Sequence, residues 1–459
     1  MAGSEFLDAL RQIVGVEQVL ADPDVRRGYE RDWTGRFGAP ALAVVRPGDT
    51  REVAATVASC AAHRVAVVPQ GGNTGLVGGG VPQGGEVLIS LARLSDVALV
   101  DVAAAQITVG AGATLAAVQS AARAVGFDVG VDLGARDSAT IGGMVATNAG
   151  GMQVFRYGTM RQHVIGVEVV LADGSVVERL SGVIKDNTGY HLSGLFVGSE
   201  GTLGVLTRVR LALVRYLPER AVALVGCRSI ADGVVVARAL DETLDCLSAM
   251  EFTDAVAQAV VEDHLAISPP LGDRQPVLLL VECADRVPVA DRLVAALADA
   301  VGDRPTAFGA DTDARRALWR HREQLTEALN ATTVPVKLDV ALPLSVLDRF
   351  AREVGQVITR VHPGARTALF GHLLDGNVHV NVNDVAARIA DPVAASIERA
   401  VLELVASFGG SISAEHGIGR AKAPYLTLGR SPLEIATMRA IKDALDPHGI
   451  LNPGVIFSQ

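Results

Sequence analysis

Residues 67–82, VVPQGGNTGLVGGGVP, run from an apolar strand into a loop in which glycines alternate with small polar side chains. Glycine has no Cβ, so its backbone can adopt positive φ values and can approach a ligand closely. Successive N–H groups in such a loop can form a concave nest for an anion such as a pyrophosphate. From glycine content alone, a phosphate-binding loop and a mobile surface loop are equally good interpretations.

Two further loops have the same composition. GARDSATIGGMVATNAGG covers Gly134–Gly151 and LFVGSEGTLGVLT covers Leu195–Thr207, and each adjoins a strongly apolar strand. The first loop contains neither the GxGxxG strand–helix fingerprint nor a Walker lysine, so the usual nucleotide motifs do not apply. Three such loops are poorly explained as linkers. A large phosphate-bearing cofactor that lies across all three explains them better.

Composition excludes several classes of protein. A length of 459 residues predicts about two or three domains. With 49% hydrophobic and 20% charged residues the chain is too apolar for disorder, and its net charge of −10 disfavours a general nucleic-acid binder. Four scattered cysteines without a CxxC pair predict no iron–sulfur cluster and no cysteine-ligated zinc. The chain has no charge-free apolar stretch of about 18 residues that could span a membrane. Its N-terminus is a poor signal peptide. Together these features predict a soluble, cytoplasmic protein.

Hydrophobic periodicity predicts two domains. The first half alternates short strands with helices such as the amphipathic Thr50–His63. The character changes near Arg215, and residues 221–360 predict a second α/β or α+β domain with an antiparallel sheet, including a single helix over Asp313–Leu329. A further helix, IATMRAIKDALD, precedes the tail LNPGVIF.

The segment LFGHLLDGNVHVNV, Leu369–Val382, predicts a pair of histidines on one sheet face. Asp375-Gly376 is typical of a two-residue type I′ hairpin turn, which pairs His372 directly with His379. Cross-strand neighbours have Cβ atoms about 4.5–5.5 Å apart, a separation that suits two ligands of one metal. Asn381 points to the same face. The alternative is two histidines that merely pair on a half-buried sheet.

Further polar groups follow two other segments. SAEHGIGRAK places Glu415 next to His416, and two histidines with one carboxylate leave an open coordination position, as in catalytic zinc sites. Arg322 and Thr326 stand at i, i+4 of the predicted helix and so share one face, and Lys337 follows in a strand. Arginine binds carboxylates bidentately, although surface charge is the simpler interpretation of any one of these side chains.

Three blocks resemble a known family: PQGGNTGL, residues 137–174 and KDNTGYHLSGLFVGSEGTLGVLT. They resemble the FAD-binding half of the vanillyl-alcohol-oxidase-type flavoproteins, and within that superfamily the FAD-linked D-2-hydroxy-acid dehydrogenases. The resemblance covers nearly the whole chain. It implies an α+β fold with a two-subdomain FAD-binding domain (1–215), an α+β cap domain with an antiparallel sheet (216–437) and a C-terminal segment that returns to the FAD domain (438–459).

The resemblance also implies site residues. Non-covalent FAD is expected, because Asn73 stands where many relatives carry the histidine that tethers the flavin; His191, where relatives often carry an acid, has no assigned role. The implied FAD contacts are Pro69, Gly71, Gly72, Asn73, Thr74, Gly75, Ser138, Gly142, Asn148, Gly151, Gly158, Val205 and Asn452. The implied ligands of Zn²⁺ or Mn²⁺ are His372, His379 and Glu415, the general base is His416, and the substrate contacts are Arg322, Thr326, Lys337 and Asn381.

The implied reaction is oxidation of a D-2-hydroxy acid to the 2-oxo acid, with D-2-hydroxyglutarate or D-lactate favoured. Hydride passes to flavin N5 and the hydroxyl proton to His416, while the metal assists as a Lewis acid. Electrons then leave to a separate acceptor: a quinone, an electron-transfer flavoprotein or an iron–sulfur subunit. A homodimer is expected, and peripheral contact with a membrane stays open. Two alternatives are an alcohol, sugar or aldonolactone oxidase on the same fold and the FAD subunit of a multi-subunit glycolate oxidase.

Overall fold

The computed structural model describes the backbone of residues 2–458 and the side chains of residues 5–331 and 333–458. Packing divides the chain into two compact units. Unit 1 comprises the chain up to Gly151, Tyr157–Tyr216 and the chain from Glu415 onward, and unit 2 comprises Met152–Arg156 and Leu217–Ala414. The functional limits expected at 215 and 437 stay predictions, because these units are defined by packing alone.

Strands β1–β10 belong to unit 1 and strands β11–β17 to unit 2. In chain order they are β1 (Val19–Leu20), β2 (Ala43–Val45), β3 (Val67–Gln70), β4 (Val87–Ser90), β5 (Gln106–Gly110), β6 (Phe127–Asp128), β7 (Val164–Val170), β8 (Val176–Arg179), β9 (Val205–Ala212), β10 (Val214–Arg215), β11 (Glu219–Cys227), β12 (Leu247–Asp254), β13 (Val277–Asp285), β14 (Thr306–Gly309), β15 (Val336–Ala341), β16 (Ala365–His372) and β17 (Asn377–Asp384).

The helices connect and cover these strands, and none within residues 2–458 is both long and apolar enough to cross a membrane. They are α1 (Ala2–Val14), α2 (Pro23–Arg26), α3 (Thr50–His63), α4 (Leu115–Arg123), α5 (Ile141–Thr147), α6 (Val154–Tyr157), α7 (Met160–His163), α8 (Leu192–Phe196), α9 (Ile230–Thr243), α10 (Ala255–Leu265), α11 (Ala290–Ala300), α12 (Thr312–Glu323), α13 (Leu325–Thr332), α14 (Leu344–Val361), α15 (Asp391–Ser407), α16 (Leu426–Gly429) and α17 (Pro432–Leu445), with 3₁₀ turns at Val16–Gln18 and Ala423–Tyr425.

Unit 1 contains two larger sheets. In the first, of order β1-β2-β4-β3, strands β2, β4 and β3 run parallel and β1 joins antiparallel. The second, of order β5-β9-β7-β8, is antiparallel, and β6 pairs with β10. One hydrophobic core includes residues of both larger sheets. Helix α3 has its predicted bounds, because the Asp49 carboxylate accepts the Glu52 N–H and caps the first turn.

Unit 2 is built on a seven-stranded antiparallel sheet of order β14-β11-β13-β12-β16-β17-β15. The predicted α+β class with an antiparallel sheet in the second domain is thereby confirmed. The short segment Met152–Arg156 belongs to this unit. Its Arg156 guanidinium donates to the carbonyls of Cys246 (3.0 Å), Leu247 (2.9 Å) and Ala284 (3.2 Å).

The single helix predicted over Asp313–Leu329 is wrong. Helix α12 ends at Glu323 and α13 begins at Leu325, because Gln324 has a ψ of −3° that opens the helical turn. Arg322 therefore lies in α12 and Thr326 in α13, and the two do not share the face of one continuous helix. Thr326 is exposed.

The predicted two-residue turn at Asp375-Gly376 is also wrong. A type I′ turn needs positive φ at both central residues, and of this pair only Gly376 has it, with φ of 75°. Strands β16 and β17 are instead joined by residues 373–376, and Phe370 rather than His372 pairs with His379. The register is displaced by two residues. Because side chains alternate with a period of two, His372 and His379 still lie on the same face.

A buried carboxylate anchors the segment that follows Glu415 to the rest of unit 1. Glu200 accepts the N–H groups of Ile418 and Gly419, both at 2.8 Å. Its own backbone has φ of 51°, and its carbonyl accepts the Asn452 side-chain amide at 2.7 Å. Burial raises the pKa of Glu200 to about 7, although these N–H groups and the charge of Lys422 favour the ionised form.

Glu200→Gln is expected to flatten the pH dependence of stability. Since the pKa of Glu200 is raised from 4.5 to about 7 in the fold, the stabilising contribution of the neutral acid is full below the unfolded-state pKa and is lost as the pH rises through the folded one. The glutamine stays neutral and removes up to about 3 kcal/mol of that pH-dependent free energy of unfolding. Urea titrations at about pH 5.5 and about pH 8 measure it.

The matched control is Glu17→Gln, which changes an exposed glutamate of unit 1 and should keep the wild-type difference between the two pH values. Glu200→Gln also loses one N–H acceptor relative to the carboxylate, which alters its absolute stability, so the comparison rests on the difference between the two pH values. An unchanged difference in Glu200→Gln would contradict the prediction.

Candidate active site

One face of the unit 2 sheet carries most of the predicted site. The register places Glu251 opposite His372, Asp339 opposite His379 and Lys337 opposite Asn381. Opposed residues share a face, as do alternate residues along a strand. Strands β12, β16, β17 and β15 therefore present these side chains as one polar surface.

The opposite face of the same strands is apolar. Leu338, Val340, Val378 and Val380 alternate with the polar residues and are at most 2% exposed. Helix α15 contacts β15, and helix α14 contacts β16. Burial of one face fixes the register of the sheet and so fixes which residues form the polar surface.

The two histidines lie together, and each lies beside a buried carboxylate. Their ring centroids are 5.6 Å apart, with ring planes at 84°. His372 donates from Nδ1 to Glu251 Oε1 at 2.5 Å, while His379 Nδ1 lies 3.5 Å from Asp339 Oδ1. A carboxylate behind a histidine is the usual arrangement around metal-binding imidazoles.

Sequence reasoning missed both carboxylates. Asp339 in VKLDVA and Glu251 in AMEFT are acidic residues within largely apolar strands. Both residues are at most 1% exposed. An acidic residue within an apolar strand needs a partner, so the pattern was a usable signal. The identity of the partner depends on strand order, which the sequence did not provide.

Helix α12 packs against β11 and β14 of the same sheet, and Arg322 lies near its C-terminal end. The Arg322 Nε donates to Glu251 Oε2 at 2.7 Å, and its guanidinium carbon lies 4.7 Å from the centroid of the Phe370 ring. One turn earlier, Trp319 donates to Glu282 Oε2 at 3.0 Å. Arg322 is thus held near the paired histidines by a carboxylate and by an aromatic face.

Lys337 and Asn381 extend the surface along the sheet. Asn381 is buried and Lys337 half-buried. Burial lowers the pKa of the Lys337 amine, since desolvation disfavours its charged form.

Glu415 and His416 belong to unit 1, in the segment anchored by Glu200. The structure of unit 2 therefore brings together His372, His379, Arg322, Lys337 and Asn381. The role of Glu415 as a third ligand and that of His416 as a base remain predictions from the resemblance.

The glycine loops of unit 1 pack against one another. A Cβ at Gly72 would overlap the carbonyl of Ser138, and a Cβ at Gly71 would overlap the Thr140 hydroxyl. At Gly75, in contrast, no described atom lies within 4 Å of where a Cβ would be. Glycine at 71 and 72 is thus needed for packing, whereas Gly75 keeps a surface of the loop open.

Asparagines hold the same loops. Asn73 has φ of 53° and donates to the Arg31 carbonyl at 2.8 Å. Asn148 ends α5 with φ of 52°, and its Oδ1 accepts from Thr159 and Arg161, both at 2.9 Å. Asn452 donates to the carbonyls of Gly79 (2.8 Å) and Glu200 (2.7 Å).

The remaining predicted FAD contacts lie in or next to these elements. Pro69 is in β3, Gly142 in α5 and Val205 at the start of β9. Val205 is fully buried in the hydrophobic core and pairs with Val170 of β7. Thr74 follows Asn73 in the first loop, and Gly151 and Gly158 have positive φ values.

Two buried oxygens in this region fit a hydrogen-bonding cofactor. The Thr140 hydroxyl and Asn452 Oδ1 have no hydrogen-bond partner among the described residues. Buried polar atoms are nearly always satisfied in native proteins. Flavin and ribityl groups carry N–H and O–H donors, and the open loop at Gly75 offers backbone N–H groups to a pyrophosphate. The residues present therefore fit FAD.

Comparison with known proteins agrees with this fit. A family model described as FAD binding domain matches residues 41–179, and one described as FAD linked oxidases, C-terminal domain, matches residues 217–456. The mitochondrial D-2-hydroxyglutarate dehydrogenase of Bos taurus is 38% identical over 460 aligned positions, which cover 99% of this chain and 83% of that protein. The D-2-hydroxyglutarate dehydrogenase of Xanthomonas citri is also 38% identical, over 98% of this chain and 96% of its own.

Solved structures show the same fold at low identity. The structure of p-cresol methylhydroxylase with substrate bound has a TM-score of 0.78 at 17% identity, over 99% of this chain and 97% of that one. The 4-ethylphenol oxidase of Gulosibacter chungangensis has a TM-score of 0.76 at 18% identity, with the same coverage. The predicted vanillyl-alcohol-oxidase-type fold is confirmed. The chain belongs to the FAD-linked oxidases, and within them to the family of FAD-dependent D-2-hydroxy-acid dehydrogenases.

Proposed function

We propose that this protein oxidises D-2-hydroxyglutarate to the 2-oxo acid, with D-lactate as the second candidate substrate. One observation carries the proposal. The Glu251 carboxylate binds both Arg322 and His372, and His372 lies next to His379 on the same sheet face. A 2-hydroxy acid presents a carboxylate next to a hydroxyl, so a cation and a metal-binding pair at short range match both groups. The names of the relatives at 38% identity support the choice of diacid.

Arg322 and Lys337 are proposed to bind the substrate carboxylates. Arg322 uses Nε for Glu251, so its terminal nitrogens are the donors assigned to the C1 carboxylate. Lys337, whose amine pKa is lowered by burial, is assigned to the distal carboxylate of a diacid. Asn381, directly opposite Lys337 in the sheet, and Thr326 complete the proposed contacts.

His372, His379 and Glu415 are proposed to hold Zn²⁺ or Mn²⁺. Two imidazoles and one carboxylate suit either ion and leave coordination positions open. A metal held by these residues would supply a Lewis acid for the substrate hydroxyl and would orient C2. The buried carboxylates behind the two histidines support the assignment, because they fix the ring orientations.

His416 is proposed to accept the proton of the C2 hydroxyl. The C2–H bond breaks with its electron pair leaving as hydride, the C–O bond becomes a carbonyl, and the hydroxyl proton goes to the His416 imidazole. The unit 1 loops would hold non-covalent FAD, which would supply the hydride acceptor, N5. Glu200 supports this role from a distance, since it holds the backbone just after His416.

The reduced protein is proposed to pass its electrons to a separate acceptor, either a quinone, an electron-transfer flavoprotein or an iron–sulfur subunit. The four cysteines are widely spaced, which supports an acceptor outside this chain.

Anaerobic addition of D-2-hydroxyglutarate to the purified FAD-loaded protein should bleach the flavin absorbance near ~450 nm within seconds. Lys337→Met should raise the KM for D-2-hydroxyglutarate about 10- to 100-fold, because a charged hydrogen bond contributes roughly 1.5–3 kcal/mol. The KM for D-lactate, which lacks the distal carboxylate, should change less than about twofold and serves as the internal control. Stopped-flow absorbance measures both.

Three results would contradict this assignment. A flavin that no D-2-hydroxy acid bleaches, even with Zn²⁺ or Mn²⁺ added, would favour the sugar oxidase or the glycolate oxidase subunit. Bleaching at the same rate after metal removal by chelation would exclude metal assistance. Equal effects of Lys337→Met on both acids would remove the proposed contact with the distal carboxylate.

Gly75→Ala should weaken FAD binding without destabilising the apoprotein. Its new methyl group would enter the open side of the first loop, where the pyrophosphate is proposed to lie, and we expect a loss of about 10-fold or more in FAD affinity. Fluorescence titration of apoprotein with FAD measures the Kd, and urea denaturation measures the stability.

Gly72→Ala is the matched comparison. Its Cβ would overlap the Ser138 carbonyl, so it should lower the stability of the apoprotein itself, by about 1–3 kcal/mol for a local overpacking. If Gly75→Ala binds FAD as tightly as wild type, the pyrophosphate does not pass this side of the loop.

A further inference from the structure

Glu251 on β12 contacts both a proposed metal ligand and a proposed substrate-binding residue. Its side chain is 0% exposed. One carboxylate oxygen, Oε1, accepts from His372 Nδ1 at 2.5 Å, and the other, Oε2, accepts from Arg322 Nε at 2.7 Å. A metal ligand and a substrate-binding cation are thus held by the two ends of one buried group.

Burial makes this carboxylate costly unless both oxygens are paired. On the neighbouring strand the residue opposite Glu251 is Leu280, which belongs to a hydrophobic cluster with Leu278, Val222 and Leu224. Replacing a buried ion pair by apolar residues is often neutral or stabilising. Stability alone is therefore a weak reason for an acid at this position.

A second buried glutamate of the same sheet provides the comparison. Glu282 on β13 accepts from Arg220 at 2.8 Å, from the Ser248 hydroxyl at 2.7 Å and from Trp319 at 3.0 Å. Its partners link strands and a helix, and none is a proposed ligand or substrate contact. Glu251 differs in that both of its partners are proposed to act on the substrate or the metal.

We propose that Glu251 is a positioning residue that couples metal binding to substrate binding. By accepting from Nδ1 it holds His372 so that Nε2 is the ring nitrogen presented to a metal. By accepting from Nε it holds the Arg322 guanidinium so that the two terminal nitrogens face the substrate carboxylate. The metal and the carboxylate rest on the proposed function; the coupling through Glu251 is additional to it.

Glutamine tests the coupling because it cannot replace both contacts. A glutamine side chain has one acceptor oxygen and one donor nitrogen, whereas both His372 Nδ1–H and Arg322 Nε–H are donors. Glu251→Gln must therefore either lose one of the two hydrogen bonds or force His372 into the tautomer that carries its proton on Nε2, the nitrogen assigned to the metal. Glu251→Asp keeps the negative charge, but its side chain is one methylene shorter, so the carboxylate lies farther from His372 and Arg322. It is the second variant, for use if Glu251→Gln does not fold.

The experiment measures metal affinity and kinetics on the FAD-loaded full chain. Competition with a chromophoric chelator gives the Kd for Zn²⁺ and for Mn²⁺, and steady-state assays at saturating metal give kcat and KM for D-2-hydroxyglutarate. Glu251→Gln should weaken metal affinity about 10- to 100-fold and should also raise KM at saturating metal. Glu251→Asp should shift both quantities in the same direction by less. The matched control Glu282→Gln should leave both quantities within about twofold of wild type.

Several outcomes would overturn the inference. Wild-type metal affinity and wild-type KM in Glu251→Gln would make Glu251 a purely structural acid, and so would equal losses in Glu251→Gln and Glu282→Gln. A change in only one of the two quantities would refute the coupling. A wild-type protein that binds neither metal refutes the metal part of the proposed function, and with it the coupling; a raised KM in Glu251→Gln would then establish only that it positions Arg322.

Discussion

The strict alternation of side chains along four neighbouring strands is the constraint on which the site depends. Because apolar residues such as Val340 and Val380 must be buried, the residues between them can only point the other way. His379 and Asp339 thereby come to lie opposite each other. The core thus selects the register, and the register assembles the polar surface before any ligand is present.

In unit 1 the corresponding constraint is the packing of loop on loop. Arg420 donates to the carbonyl of Gly78 at 2.6 Å and to that of Pro453 at 3.3 Å, and Asn452 donates to Gly79 and Glu200. Segments far apart in the chain are thus held by these side chains, in addition to the isolated β-bridge between Val67 and Leu451. Such cross-links keep glycine-rich backbone ordered, which a cofactor site requires.

The sequence allowed the fold class and the FAD-binding unit to be predicted better than the geometry of the site. The fold class, the FAD-binding unit and the common face of His372 and His379 are confirmed. The common face was predicted correctly although the predicted turn was wrong, because the register differs from the prediction by an even number of residues. The break at Gln324 depends on a single ψ angle. The residues on both sides favour a helix, so the sequence does not indicate the break. The partners Glu251 and Asp339 depend on strand order, which no local pattern records.

The contacts of the buried acids explain why the mispredicted helix break has little effect on the arrangement of the site. A carboxylate within an apolar sheet is tolerated only where donors converge on it, and donors arrive from elements distant in sequence. Arg322 reaches Glu251 across 71 residues and His372 reaches it across 121. A local error such as the missed helix break leaves these contacts intact, because they are set by the sheet and by α12, which ends after Arg322. The positions most costly to bury are therefore the ones that fix the geometry of the site.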